Sequence, residues 1–147
     1  GGRRRGDELR GMGGQGRGNR AEEDVREFER RVARQMRTAA AVPDRVGAGA
    51  SFHGGGLVTD GTDSPHLLVP NMQAHYLFAI AENDDAEEPG AKDVLREAFA
   101  DAGLPAEIEV YEGTLHGWGP LDSHVYSEPQ AERAWSRLLA LFATALA

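Results

Sequence analysis

Apolar side chains recur along this chain in two rhythms. Ala74-His-Tyr-Leu-Phe-Ala-Ile-Ala81 is an almost unbroken apolar run, the pattern of a strand buried on both faces. Val46 to Phe52 reads as a strand of small residues, and Glu107 to Tyr111 as a third strand. Helical spacing takes over after Pro89. Ala91, Val94, Leu95, Ala98, Phe99 and Ala102 form one stripe, and Gly103 is the stop. Ser127-Glu-Pro-Gln130 has the form of a capping box with proline in the first turn. The helix it opens is predicted to bury Ala131, Trp135, Leu138, Leu139, Phe142 and Leu146. The order is strand, loop, strand, helix, strand, helix. It predicts an α/β fold, a parallel sheet of about three strands with flanking helices.

The upstream part has another character. Residues 1–18 contain eight glycines and only Leu9 and Met12 as apolar residues. Such a segment buries too little surface to offset its chain entropy and is expected to be disordered. Residues 19–38 read as a charged helix, with Asn19 as cap, Glu22 at the capping-box position and a thin stripe of Val25, Phe28, Val32 and Met36. The α/β domain is placed at residues 39–147. Val42-Pro-Asp-Arg-Val46 joins helix to strand.

Charge sharpens that division. Residues 1–37 hold eleven arginines against seven acids, and the rest of the chain holds five basic residues against seventeen acids. The net charge of -8 therefore combines a basic start with a strongly acidic remainder. There are no cysteines, which excludes disulfides, thiolate metal sites and a cysteine nucleophile within this chain. No stretch approaches the ~18 apolar residues of a membrane span. Arg3-Arg4-Arg5 is not followed by an apolar signal-peptide region. The expectation is a cytoplasmic protein with no membrane partner.

The candidate chemistry lies in Glu112-Gly-Thr-Leu-His116-Gly-Trp118. Here a histidine sits on a glycine-flanked loop at the carboxyl end of a predicted strand, where open α/β sheets bind ligands. Ala81-Glu-Asn-Asp84-Asp85 is an acidic loop at the end of another strand, able to supply a carboxylate that orients His116. The plainer alternatives are a structural loop histidine and a solvated acidic surface. His53, before Gly54-Gly-Gly56, is a candidate for lining a substrate pocket, with a glycine-rich turn as the alternative. Trp118 is a second substrate-side candidate, with core packing as its alternative. His66, His75 and His124 show no metal-ligand spacing, so neither a metal nor another cofactor is expected.

From about Arg37 onward the chain resembles the C-terminal half of the dienelactone hydrolase family. Pro43-Asp-Arg-Val46, Ser51-Phe-His-Gly-Gly55, Ser64-Pro-His66, Ala79-Ile-Ala-Glu-Asn-Asp84, Tyr111 and Leu115-His-Gly-Trp118 carry the resemblance. It implies the C-terminal portion of an α/β-hydrolase sheet. It also implies His116 as the catalytic histidine and Asp84 as the acid, with Asp85 as a close competitor. The family cleaves esters or lactones with a serine or cysteine nucleophile on a Gly-x-Cys/Ser-x-Gly-Gly elbow. That elbow should lie shortly before Pro43, where the chain reads Arg30-Arg-Val-Ala-Arg-Gln-Met-Arg37, and no serine precedes Ser51. The expectation is a family member by ancestry that is truncated or frameshifted and lacks its nucleophile elbow.

Its substrate, if it is active, is a small ester or lactone. A partial sheet should leave an unpaired edge and an apolar face, which invite self-association. A complementing N-terminal half would make a split hydrolase. An alternative of another class is a non-catalytic binding protein whose Arg/Gly-rich start contacts nucleic-acid phosphates. Against it, Phe28 is the only aromatic residue in residues 1–37, and the remainder is acidic.

Overall fold

A computed structural model describes residues 31–147. The predicted disorder of residues 1–18 and the helical assignment of residues 19–30 lie outside the described residues. Residues 31–41 are helical (α1). There follow β1 (Ala48–His53), a 3-10 segment (Pro65–Asn71), β2 (His75–Ala81), α2 (Glu82–Glu87), α3 (Ala91–Asp101), β3 (Ala106–Tyr111) and α4 (Glu128–Ala145). The acidic segment after β2 is thus a short helix and not a loop. Acidic side chains in its first turn suit the positive end of the helix dipole.

The described sheet has three parallel strands in the order β1-β2-β3. Its centre is the apolar run of β2. Tyr76, Phe78 and Ile80 face one side and join Val32, Met36 and Ala39 of α1, Val69 of the 3-10 segment, Leu95 and Phe99 of α3, and Ile108 of β3. Val32 and Met36 lie in the segment read from sequence as a separate charged helix, and both are buried in this core. Ala79 and Ala81 face the other side, with Tyr111, Trp118, Ala131 and Ala134. Burial on both faces explains why β2 carries no alternating polar residues.

α3 ends as its glycine predicts. The Gly103 N–H donates to Ala100 O and the Leu104 N–H to Phe99 O at 2.9 Å, a Schellman closure with Leu104 packed on the core. Its stripe is narrower than expected, because Val94 is partly exposed.

α4 departs from the sequence expectation in two ways. Ser127 occupies the cap position but makes no side-chain cap bond. Gln130, expected to complete the capping box, instead donates from its side-chain amide to Glu112 O at 2.9 Å. The face turned to the sheet is Ala131, Ala134 and Leu138. Trp135, Leu139 and Leu146 are 53%, 63% and 60% exposed, and Phe142 is also exposed. Alanines let the helix axis approach the flat rings of Tyr111 and Trp118. That close approach turns the bulkier residues outward.

The outer edge of β3 is held by charge. Arg96 donates to Ile108 O at 2.7 Å, Arg137 pairs with Glu107, and Arg133 pairs with Glu109. Charged side chains on an outer strand oppose further strand pairing.

Candidate functional site

The strand register sets the site. Ala81, the last residue of β2, lies opposite Tyr111, the last residue of β3. The segments that leave these strands, Glu82–Asp84 and Glu112–His116, therefore start side by side. Four contacts then join them. The Gly113 N–H donates to a Glu82 carboxylate oxygen. The Glu82 N–H donates to Thr114 Oγ1 at 3.2 Å, and that hydroxyl donates to Tyr111 O at 2.5 Å. The His116 N–H donates to Asn83 Oδ1 at 2.8 Å. His116 Nδ1 meets Asp84 Oδ2 at 2.9 Å and Oδ1 at 3.2 Å.

A carboxylate only accepts hydrogen bonds, so this contact places the ring proton on Nδ1 when the imidazole is neutral. The Nε2 lone pair is then the basic position. The Asp84 side chain is 9% exposed and that of His116 26%. The carboxylate is enclosed while the imidazole reaches solvent. An oriented histidine of this kind can take a proton from a nucleophile or give one to a leaving group.

Asp85, the competing acid, turns elsewhere. It accepts from Lys92 Nζ at 2.7 Å, and Lys92 also donates to Pro89 O at 3.0 Å. Of the two aspartates, the structure brings Asp84 to His116.

The ends of the His116 loop are pinned from below. Trp118 is wholly buried, stacked on Tyr111 at 5.1 Å between ring centroids and on Phe52 at 5.8 Å. Packing is the role its position expresses. The Ser127 N–H donates to Trp118 O at 3.0 Å, which ties the start of α4 to the same loop. Gly117 has φ 96°, and the loop needs glycine there because other residues rarely adopt that backbone. Burial raises the Tyr111 phenol, an effect opposed by the Arg133 guanidinium lying 4.4 Å over its ring.

His53 ends β1 opposite Ile80, at the same carboxyl end of the sheet. The next residue, Gly54, has φ 96°, and a Cβ there would meet the Ile80 side chain at 2.9 Å. The glycine-rich turn thus has a backbone reason of its own.

His66 lies in a different setting. Its Nδ1 contacts Ser64 Oγ at 2.7 Å, and that oxygen accepts the Thr59 N–H at 2.8 Å. Ser64 is buried, so this pair holds a turn. No group of three or more His, Asp or Glu residues able to hold a metal occurs among the described residues. No described helix is long and apolar enough to cross a membrane. A hollow of about 250 Å³ beside His75, Pro105, Glu107 and Arg137 lies at the opposite, amino end of the strands.

Sequence reasoning missed Glu82, Asn83 and Thr114. They stand beside the singled-out residues, but their partners are 31 to 33 positions away, and only the register of β2 on β3 reveals the pairing.

The family model for the dienelactone hydrolase family matches residues 33–146. Among solved structures, a crystal structure from Klebsiella pneumoniae subsp. pneumoniae, described as a provisional dienelactone hydrolase, is similar with a TM-score of 0.63 and 25% identity. The alignment covers 74% of this chain and 46% of that one, so the chain spans about half the length of that relative. No curated protein matches the chain.

Proposed function

Because this chain belongs to the dienelactone hydrolase family, we propose that Asp84 and His116 are the acid and base of an ester- or lactone-cleaving site. The observation that carries this is the 2.9 Å contact between His116 Nδ1 and Asp84 at the aligned carboxyl ends of β2 and β3. In this proposal, Nε2 takes the proton from a nucleophile hydroxyl or thiol as the heteroatom attacks the acyl carbon. Collapse of the tetrahedral intermediate expels the alkoxide, which takes that proton from Nε2. Water then repeats the sequence on the acyl intermediate and releases the acid. Asp84 holds the tautomer and stabilises the imidazolium formed in each half.

The nucleophile is proposed to lie outside these 147 residues. The chain has no cysteine, and its serines are Ser51, Ser64, Ser123, Ser127 and Ser136. An elbow nucleophile needs a strand that passes directly into a helix. Ser51 is buried within β1, Ser64 is turned to His66, Ser136 lies in α4, and Ser123 and Ser127 lie in the approach to α4. The exposed stripe of Trp135, Leu139, Phe142 and Leu146 supports an apolar contact with the part that carries it. A groove of about 320 Å³ that includes Val32, Phe52 and Leu138 supports it too.

The test is to mix the chain with the separately made N-terminal half of a family member, elbow included, and assay small esters and lactones. Hydrolysis above that of either part, abolished by His116→Ala, is expected. Hydrolysis that is indifferent to His116→Ala would overturn the proposal.

A further inference from the structure

We infer that Asn83 is a positioning residue for His116, acting through the histidine main chain. The inference rests on the reading of Asp84 and His116 as acid and base, and it assigns a role within that site to a residue that touches neither reacting atom. An imidazole is placed by two things, the position of its Cα and the rotation of its ring. Asp84 acts on the ring alone. A loop free to shift would let the Nδ1 contact lengthen while the side chain changed rotamer. Asn83 removes that freedom by accepting the His116 N–H at 2.8 Å. Glu82 steadies the approach to the same point, because its carboxylate receives the Gly113 N–H and its own N–H reaches Thr114 Oγ1.

Three consecutive residues thus grip the loop at three heights, and only the last of them touches the ring. The amide suits this task. Its oxygen accepts a neutral donor without placing a second negative charge beside Asp84, which would compete for the same imidazolium. The main-chain bond and the ring bond both originate in the first turn of α2. They therefore move together if that turn moves.

The test uses the whole 147-residue chain labelled with 15N. Two-bond correlations of the His116 ring are recorded well above the ordinary imidazole range of about 6.5. Wild type is expected to show a protonated Nδ1 and a bare Nε2. Asn83→Ala is expected to lose that single-tautomer pattern, with the amide fingerprint of the rest of the chain retained. Asn83→Asp, which keeps the acceptor and whose added charge has no imidazolium to compete for when the ring is neutral, is expected to restore it. Asn83→Ala keeping the wild-type pattern while Asp84→Asn loses it would overturn the role of Asn83 and leave the acid–base pair standing. If Asp84→Asn also kept the pattern, the pair itself would fall. Should Asn83→Ala not fold, hydrogen exchange of the wild-type His116 amide decides. Protection at least tenfold above the Leu115 amide is expected, and an unprotected His116 amide would overturn the inference.

Discussion

On one face of the sheet, α1, the 3-10 segment and α3 cover Tyr76, Phe78 and Ile80 with large side chains, among them Met36, Leu95 and Phe99. On the other face α4 offers Ala131 and Ala134, and the bulk comes from Trp118 and Tyr111, which bracket the His116 loop. The first face buries ordinary volume. The second ties the two ends of the His116 loop to the sheet, and its helix leaves an apolar stripe outside. The contrast teaches that equal burial can serve different purposes. A residue under the loop controls where His116 stands, whereas a residue of the larger core controls only whether the chain folds.

The sharpest way to break this contrast is a matched pair of truncations. Phe99→Ala and Trp118→Ala are each expected to cost about 3–5 kcal/mol, read from denaturant unfolding. Both side chains are buried, and Phe99 packs on Tyr76 and Phe78 with centroids 5.6 and 5.7 Å apart. Only Trp118→Ala should speed amide exchange across residues 112–117. Equal exchange in the two variants would erase the distinction between the faces.

A second test uses alkali. Burial pushes the Tyr76 phenol from 10.0 up to about 12, and its hydroxyl has no hydrogen-bond partner among the described residues. The unfolded chain loses this proton first. The stability the phenol contributes is therefore complete below pH 10 and is lost as the pH rises towards 12. The loss is on the order of 2 kcal/mol. Tyr76→Phe, which removes the ionising group and leaves no polar atom unsatisfied, should flatten this alkaline limb in unfolding measured from pH 8 upward. A limb of unchanged slope would count against Tyr76 as its source.

The smallest effect belongs to the outer stripe. Leu139→Ser should change stability by no more than about 0.5 kcal/mol, because Leu139 is 63% exposed. It should also reduce concentration-dependent association in sedimentation. A loss of several kcal/mol would show that Leu139 belongs to the core after all.

The architecture was legible where one physical cause dominated. The apolar run of β2 and the Gly103 stop of α3 each follow from a local rule, and the structure obeys it. α4 was misread because hydrophobicity counts do not tell which side of a broad stripe faces inward. That choice depends on the rings of Tyr111 and Trp118 against which Ala131 and Ala134 fit. The capping box failed because Gln130 found a tertiary partner in Glu112. At the site, His116 and an acidic partner were visible as loop chemistry at strand ends. The choice between Asp84 and Asp85 was not, because it depends on which carboxylate the first turn of α2 aims at the loop and on Lys92 claiming the other. The grip of Glu82 and Asn83 was invisible for the same reason.

His116 and Asp84 are proposed to act as one acid–base unit. The most direct measurement is the proton spectrum of the His116 Nδ1–H in the whole chain, compared across wild type, Asp84→Asn and Asp85→Asn. A slowly exchanging downfield resonance in wild type, lost in Asp84→Asn and kept in Asp85→Asn, is the result predicted. A resonance that survives Asp84→Asn, or that vanishes in Asp85→Asn, would contradict the account.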